Sequence, residues 1–179
     1  MAVRWPWRRR TLPPPLTVAL GDDEQIQAVA DLADGTVLAV SRFGLWHVGA
    51  ESASRTGWEA IAKARLTGSV LSIIPTRVVG ELSDGTTVLA DDAVRQHVLA
   101  GKSTLTDIVH TRVRRSVAAS RHLTYPAGGG WVVLRRVPGR DGVVTQLRLD
   151  PGADPAAPGL AAAVAAVAAD LRSGEPPPV

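Results

Sequence analysis

Cysteine is absent from this chain of 179 residues, and with it go disulfide frameworks, zinc–thiolate sites and thiol nucleophiles. A reducing compartment such as the cytoplasm is the expected setting. Aromatic residues make up only 4%, with five Trp against one Tyr and one Phe, and two lysines stand against 18 arginines. Long apolar runs are missing too: the longest, Leu160 to Ala169, is ten residues of mostly alanine, half of the ~20 that a membrane-spanning helix requires. An export signal is not expected at the start. Met1 to Arg10 carries suitable charges, but Pro13, Pro14 and Pro15 stand where an apolar stretch of ~7–15 residues belongs.

What is present has the balance of a folded protein, with 45% apolar and 21% charged residues and a mean hydropathy of +0.08. The length fits one domain with tails. The formal charge of +3 is better read by position, because Arg4, Arg8, Arg9 and Arg10 contribute +4 with no acid among the first 21 residues, leaving 16 basic against 17 acidic side chains elsewhere. Basicity therefore belongs to the start of the chain, which argues against a dedicated nucleic-acid-binding fold. The chain divides into a basic, Trp/Pro-rich tail over 1–21, a single domain over 22–173 and a frayed C-terminus over 174–179. Within the tail, Arg4, Trp5, Trp7, Arg8, Arg9 and Arg10 suit an anionic membrane surface, where each cation contributes about 1 kcal/mol, and equally suit the phosphates and bases of nucleic acid. The proline run favours extended polyproline conformation.

From residue 25 short β-branched runs alternate with turn signals. Asp34-Gly35, Asp84-Gly85 and Asp141-Gly142 each lie between apolar segments, the composition of two-residue hairpin turns. Strands are expected at about 25–33, 36–42, 44–49, 58–66, 69–74, 77–82, 86–90, 131–137 and 143–149. Leu32 to Ala39 and Leu82 to Ala90 look alike 50 residues apart; two copies are too few for a propeller, so two hairpins sharing one turn chemistry explain them. A helix is expected over about 104–122, with Leu105, Ile108, Val109, Val113 and Val117 as its apolar stripe and Thr104 with Asp107 as a capping box. Arg112, Arg114, Arg115 and Arg121 form its basic face, a candidate partner-binding surface. A second helix over about 157–172 places Leu160, Val164, Val167 and Leu171 on one side.

Motifs of catalysis are incomplete. Gln96 to Thr104 ends in Gly-Lys-Ser as a phosphate-binding loop does, but Gln96 occupies the position of the first glycine, and the hairpins around it are antiparallel. His47, His97, His110 and His122 lack metal-site spacing. Asp22-Asp23-Glu24 and Asp91-Asp92 read as solvated turns, Ala127 to Gly130 as a flexible hairpin-like approach to a strand, and Trp46, Trp58 and Trp131 as core anchors in strands. No cofactor is implied.

Several hairpin strands, then Trp58-Glu59-Ala60-Ile61 crossing into Val70-Leu71-Ser72-Ile73, then a closing amphipathic helix, resemble a bacterial PH-like domain. Arg112 to Val117 with Ser120-Arg121-His122, Trp131 to Gly139, and Leu147 to Gly152 resemble a small uncharacterised actinobacterial protein family. The resemblance implies a mainly antiparallel curved sheet or PH-like split barrel closed by a C-terminal capping helix, here over 157–172; the inserted helix over 104–122 departs from the usual strand-only body, and the expected fold class is α+β. The resemblance brings no catalytic residues and implies docking surfaces. Specific inositol-lipid recognition is not expected, since Ala33-Asp34-Gly35 is short and acidic. The expected function is a non-enzymatic cytoplasmic interaction module with a protein partner. The alternatives are a peripheral membrane protein held by the tail and a nucleic-acid-associated protein using the tail and the basic helix face. An edge strand at 69–74 offers either a route to a homodimer or a surface for the tail to cover.

Overall fold

Two copies of one turn fix the register of both halves of the molecule. In Leu32-Ala33-Asp34-Gly35-Thr36 and Leu82-Ser83-Asp84-Gly85-Thr86, each Leu N–H donates to the Thr carbonyl at 2.9 Å and each Asp Oδ1 accepts the Thr N–H at 2.9 Å. Gly35 and Gly85 sit at φ +84° and +81°, so these are three-residue loops closed by a left-handed glycine and not the two-residue turns the dipeptide suggests. The third pair, Asp141-Gly142, lies inside a longer loop over 136–143.

The computed structural model describes residues 11–174. The first turn joins β1 (Ile26–Asp31) to β2 (Val37–Ser41), which continues through β3 (Gly44–Val48) and β4 (Ala53–Gly57) as an antiparallel sheet in chain order. A 3-10 turn at Trp58–Ala60 leads to β5 (Ile61–Thr67), β6 (Val70–Glu81), β7 (Thr87–Asp91) and β8 (Arg95–Val98). Then come α2 (Leu105–Ser116), following the short α1 (Pro14–Ala19), and β9 (Val117–Leu123), β10 (Gly130–Arg135), β11 (Val144–Leu149) and α3 (Leu160–Ser173). The second sheet has the order β5-β6-β7-β11-β10-β9, with β8 paired to β6. Ala33 N–H donates to Val98 O at 2.8 Å and Ala100 N–H to Asp31 O at 2.9 Å, stitching the two sheets together. The fold is α+β with curved, mostly antiparallel sheets and a closing C-terminal helix. One pairing departs from that pattern: β7 and β11 run parallel through Thr87–Leu89 and Gln146–Arg148.

Several expectations are corrected. The helix over 104–122 ends at Ser116, and Val117 to Leu123 form β9 against β10. Val113 and Val117 suit a helical stripe, but Val117 to Leu123 also alternate between half-buried and exposed with the period of a strand, and a partner strand decides between the two. The Thr104 side chain makes no cap; Ser103 Oγ accepts the Leu105 N–H at 3.1 Å instead. The strands expected at 69–74 and 77–82 are one, β6, whose first half has β5 on one side and β8 on the other. Residues 69–74 are thus interior to the sheet and offer no free backbone edge to a second copy. Trp58 stands in the 3-10 turn and not in a strand, while β4 and β8 are short polar strands without an apolar signature.

Three apolar clusters hold the elements. Leu105 and Val109 of α2 meet Leu38, Val40, Leu45, Trp58, Ile61, Leu71 and Ile73 between the sheets. Leu160, Val164 and Ala168 of α3 cover Val88, Val132 and Leu147. On the outer face of the first sheet, Leu16 of α1 is fully buried on Ala39, Trp46 and Val48, a contribution of about 2 kcal/mol. Pro13 is extended as expected, but Pro14 and Pro15 open α1, where missing N–H groups cost nothing. Residues 12–20 of the expected tail therefore pack on the body.

Candidate anion-binding cleft

Three segments far apart in sequence converge at the C-terminal end of α2. The C-terminal part of the helix carries Arg112 and Arg115 three residues apart, and so on one face. The β2–β3 turn brings Arg42, and the loop 136–143 brings Arg136 and Arg140. These five arginines bound a cleft of about 400 Å3 with Trp58, Ser116 and the stretch Val137-Pro138-Gly139, and no acidic side chain lines it among the described residues.

Each wall is held by bonds that leave guanidinium groups available. Trp58 Nε1 donates to Ser41 O at 3.2 Å and Arg42 O at 3.1 Å, fixing the β2–β3 turn. The Ser41 hydroxyl accepts the Phe43 N–H at 3.1 Å and itself donates to Glu24. Arg42 lies 4.4 Å above the Phe43 ring and pairs with Asp23. Gly139, at φ +82°, turns the loop so that Arg140 N–H reaches Val137 O at 3.0 Å. Arg136 Nη1 donates to Arg115 O at 3.1 Å and Val117 O at 3.4 Å, satisfying carbonyls that the helix end leaves open and offsetting the negative end of its dipole. Arg112 uses one Nη2 bond on the neutral Gln27 Oε1 at 2.9 Å. Arg115 and Arg140 are exposed and make no side-chain hydrogen bond or ion pair among the described residues.

Arg135 supports the site from inside. Neighbouring residues on a strand point to opposite faces, so Arg136 faces out while Arg135 is buried, donating to Ser116 Oγ at 2.5 Å and Ile61 O at 3.0 Å. Burial lowers its pKa, partly countered by the Glu59 carboxylate.

Of the four residues expected to form the partner face, the cleft contains Arg112 and Arg115. Arg114 lies beside it, lining a second depression of about 380 Å3 with His110, Thr111 and the shared Arg115. Arg121 does not join them: it sits on β9 and pairs with Asp170 of α3 at 3.0 Å. Arg4, Trp5, Trp7, Arg8, Arg9 and Arg10 lie outside the described residues. Sequence reasoning missed Arg42, Arg136 and Arg140, whose only local signal is arginine flanking a hairpin turn and a Pro-Gly loop.

Other expectations resolve differently. Glu24 is not in a solvated turn; it is buried and accepts from Trp46 Nε1 at 2.8 Å and Arg55 Nη1 at 2.6 Å. Trp46 and Trp58 are core residues, but Trp131 is 42% exposed at the rim of a 500 Å3 cleft where β7 and β11 part, bridged by Arg148 and Asp91. No group of three or more His, Asp or Glu side chains among the described residues is placed to hold a metal ion. None of the described helices is long and apolar enough to cross a membrane. Comparison with protein-family models finds no match, and comparisons with curated proteins and with solved structures find none either.

Proposed function

We propose that this chain is a non-enzymatic docking module that engages an anionic partner through the arginine cleft. The observation that carries the reading is the convergence of Arg42, Arg112, Arg115, Arg136 and Arg140 from three segments with no acid in the lining. Asp23 offsets only Arg42; the other like charges repel one another, and a bound anion relieves that repulsion while accepting paired N–H donors. Arginine suits this work better than lysine, because its planar fork presents two parallel donors to one carboxylate or phosphate.

Retention on a heparin column, a generic polyanion, tests the reading. The full chain should require more salt for elution than the Arg115→Glu/Arg140→Glu variant, while Arg65→Glu on β5, away from the cleft, should elute with the full chain. Equal elution of all three would remove the cleft from the function.

A further inference from the structure

We infer that the anionic partner is a single strand of nucleic acid, whose phosphodiester backbone lies along the exposed face of α2 from Arg140 to Arg114. The inference rests on the arginine cleft being the docking surface. The basic surface is longer than one pocket: the cleft holding Arg112, Arg136 and Arg140 and the depression holding His110 and Arg114 both border Arg115, so basic groups follow one another along the end of α2 as a track. Asp107 and Asp141 stand next to the two ends of the track in sequence, and neither lines it. One compact dianion saturates two or three guanidinium groups. Five along the track, besides the Asp23-paired Arg42, match an anion that repeats along a chain.

Shape and polarity narrow the class. The cleft is walled by the helix and the loop 136–143, and the depression beside it continues along α2 alone; a charged groove open along a helix suits the flexible backbone of a single strand. Thr111 and His110 add hydrogen-bonding groups of the sort that fix phosphates and sugars. A protein partner draws its affinity from buried apolar anchors, and a bilayer needs apolar side chains to insert. Of the exposed large apolar residues, Val18 lies on α1, Val143 ends the loop 136–143, and Leu66, Val78, Val94, Val98 and Trp131 lie on or beside other strands; none lines either depression. Cations prevail on this surface, and the near-neutral total for residues 22–179 conceals it, because apart from Asp23 on Arg42 no acid among the described residues is paired with it.

The test is fluorescence anisotropy of a labelled, mixed-sequence single strand of about 12 nucleotides with the full chain, titrated across roughly 50–200 mM salt. Replacing Arg115 and Arg140 by Ser should weaken binding at least about tenfold and reduce the slope of log K against log salt by about 1.4, at ~0.7 for each phosphate no longer neutralised. Replacing both by Lys should keep most of the slope, and thermal unfolding should show all variants folded. The same decrement should appear when Arg8, Arg9 and Arg10 are also replaced by Ser, separating the cleft from the start of the chain. An unchanged slope in the Ser variant would overturn the inference, as would a loss seen only on changing Arg8 to Arg10. If the oligonucleotide fails to bind while polyglutamate or phosphatidylserine vesicles bind with the same dependence on Arg115 and Arg140, the nucleic-acid assignment falls and the docking reading stands. Failure on heparin removes the docking reading itself.

Discussion

His47 and His97, 50 residues apart in sequence, stand with ring centroids 5.4 Å apart and planes inclined by 38°, where the first sheet meets the second. His47 Nε2 lies 3.2 Å from Thr36 Oγ1, whose hydroxyl donates to Asp34 Oδ1 at 2.6 Å. Burial is the main force lowering the pKa of His97; the neighbouring His47 and Arg95 lower it further, and Asp34 opposes them. The seam between the sheets thus contains an imidazole that favours the neutral form.

Acid should therefore loosen this seam. With the folded pKa of His97 below its unfolded value of 6.5, the unfolded chain binds more protons in that window, and stability rises with pH. Stability should be complete above about pH 7 and decline as pH falls through 6.5 towards the folded value. Melting temperature measured from pH 8 to pH 5 should drop more steeply in the wild type than in His97→Gln. Parallel curves would show that the pair does not couple titration to folding.

The two adjacent arginines of β10 and its following loop should behave as opposites. Arg135→Ala strips a buried cation from Ser116 Oγ and Ile61 O and leaves the Glu59 carboxylate, one oxygen of which is buried without a hydrogen bond, without its compensating charge. A loss of about 3 kcal/mol in urea unfolding is expected. Arg136→Ala removes exposed bonds to the end of α2 and should cost under about 1 kcal/mol. Its effect belongs to polyanion binding instead. Similar stability losses in the two variants would contradict the inward and outward assignment.

How much of this was legible in the sequence depends on the range of the interactions. The Asp34-Gly35 and Asp84-Gly85 hairpins and the α3 stripe of Leu160, Val164 and Val167 could be read because their signals lie within a few residues of the structure they build. β9 could not, because Val117 continues the apolar spacing of α2 and only the backbone of β10 selects the strand. Glu24 was hidden for a similar reason: beside Asp22 and Asp23 it resembles a solvated turn, and its burial is decided by Ser41, Trp46 and Arg55 from three other segments. The cleft shows the same limit. Arg112 and Arg115 were visible as a helix face, but Arg42 and Arg140 meet them only through tertiary folding, and Arg121 left the face once β9 replaced the end of the helix.

The glycine run before β10 acts through close packing and not through flexibility. A Cβ at Gly129 would overlap the Leu123 carbonyl oxygen, and one at Gly130 would stand 2.5 Å from the Arg148 carbonyl oxygen. Both obstacles are backbone, so the strands themselves must move. Gly130→Ala should cost about 2 kcal/mol or more, measured by thermal unfolding. Gly80→Ala, in a strand where an added Cβ meets nothing within 4 Å, should leave stability within about 0.5 kcal/mol. Equal effects would mean that β9, β10 and β11 are less closely apposed at Gly130 than the geometry states.

Tryptophan gives the sharpest contrast between expected and observed burial. Trp58 is 2% exposed, packs in the central cluster with Ile61 and Leu105 and ties its indole N–H to Ser41 O and Arg42 O. Trp131 is exposed, its ring 5.4 Å from that of His122 in an edge-on arrangement. Truncating Trp58 to Ala should remove about 3–5 kcal/mol and release the β2–β3 turn, so salt-dependent retention on heparin should weaken along with stability. Trp131→Ala should cost less than about 1.5 kcal/mol, the scale of a single aromatic pair, and leave retention unchanged, because the 500 Å3 cleft beside it shares no lining residue with the arginine cleft. Loss of polyanion binding in Trp131→Ala with the fold intact would shift the docking surface from the end of α2 to the parting of β7 and β11.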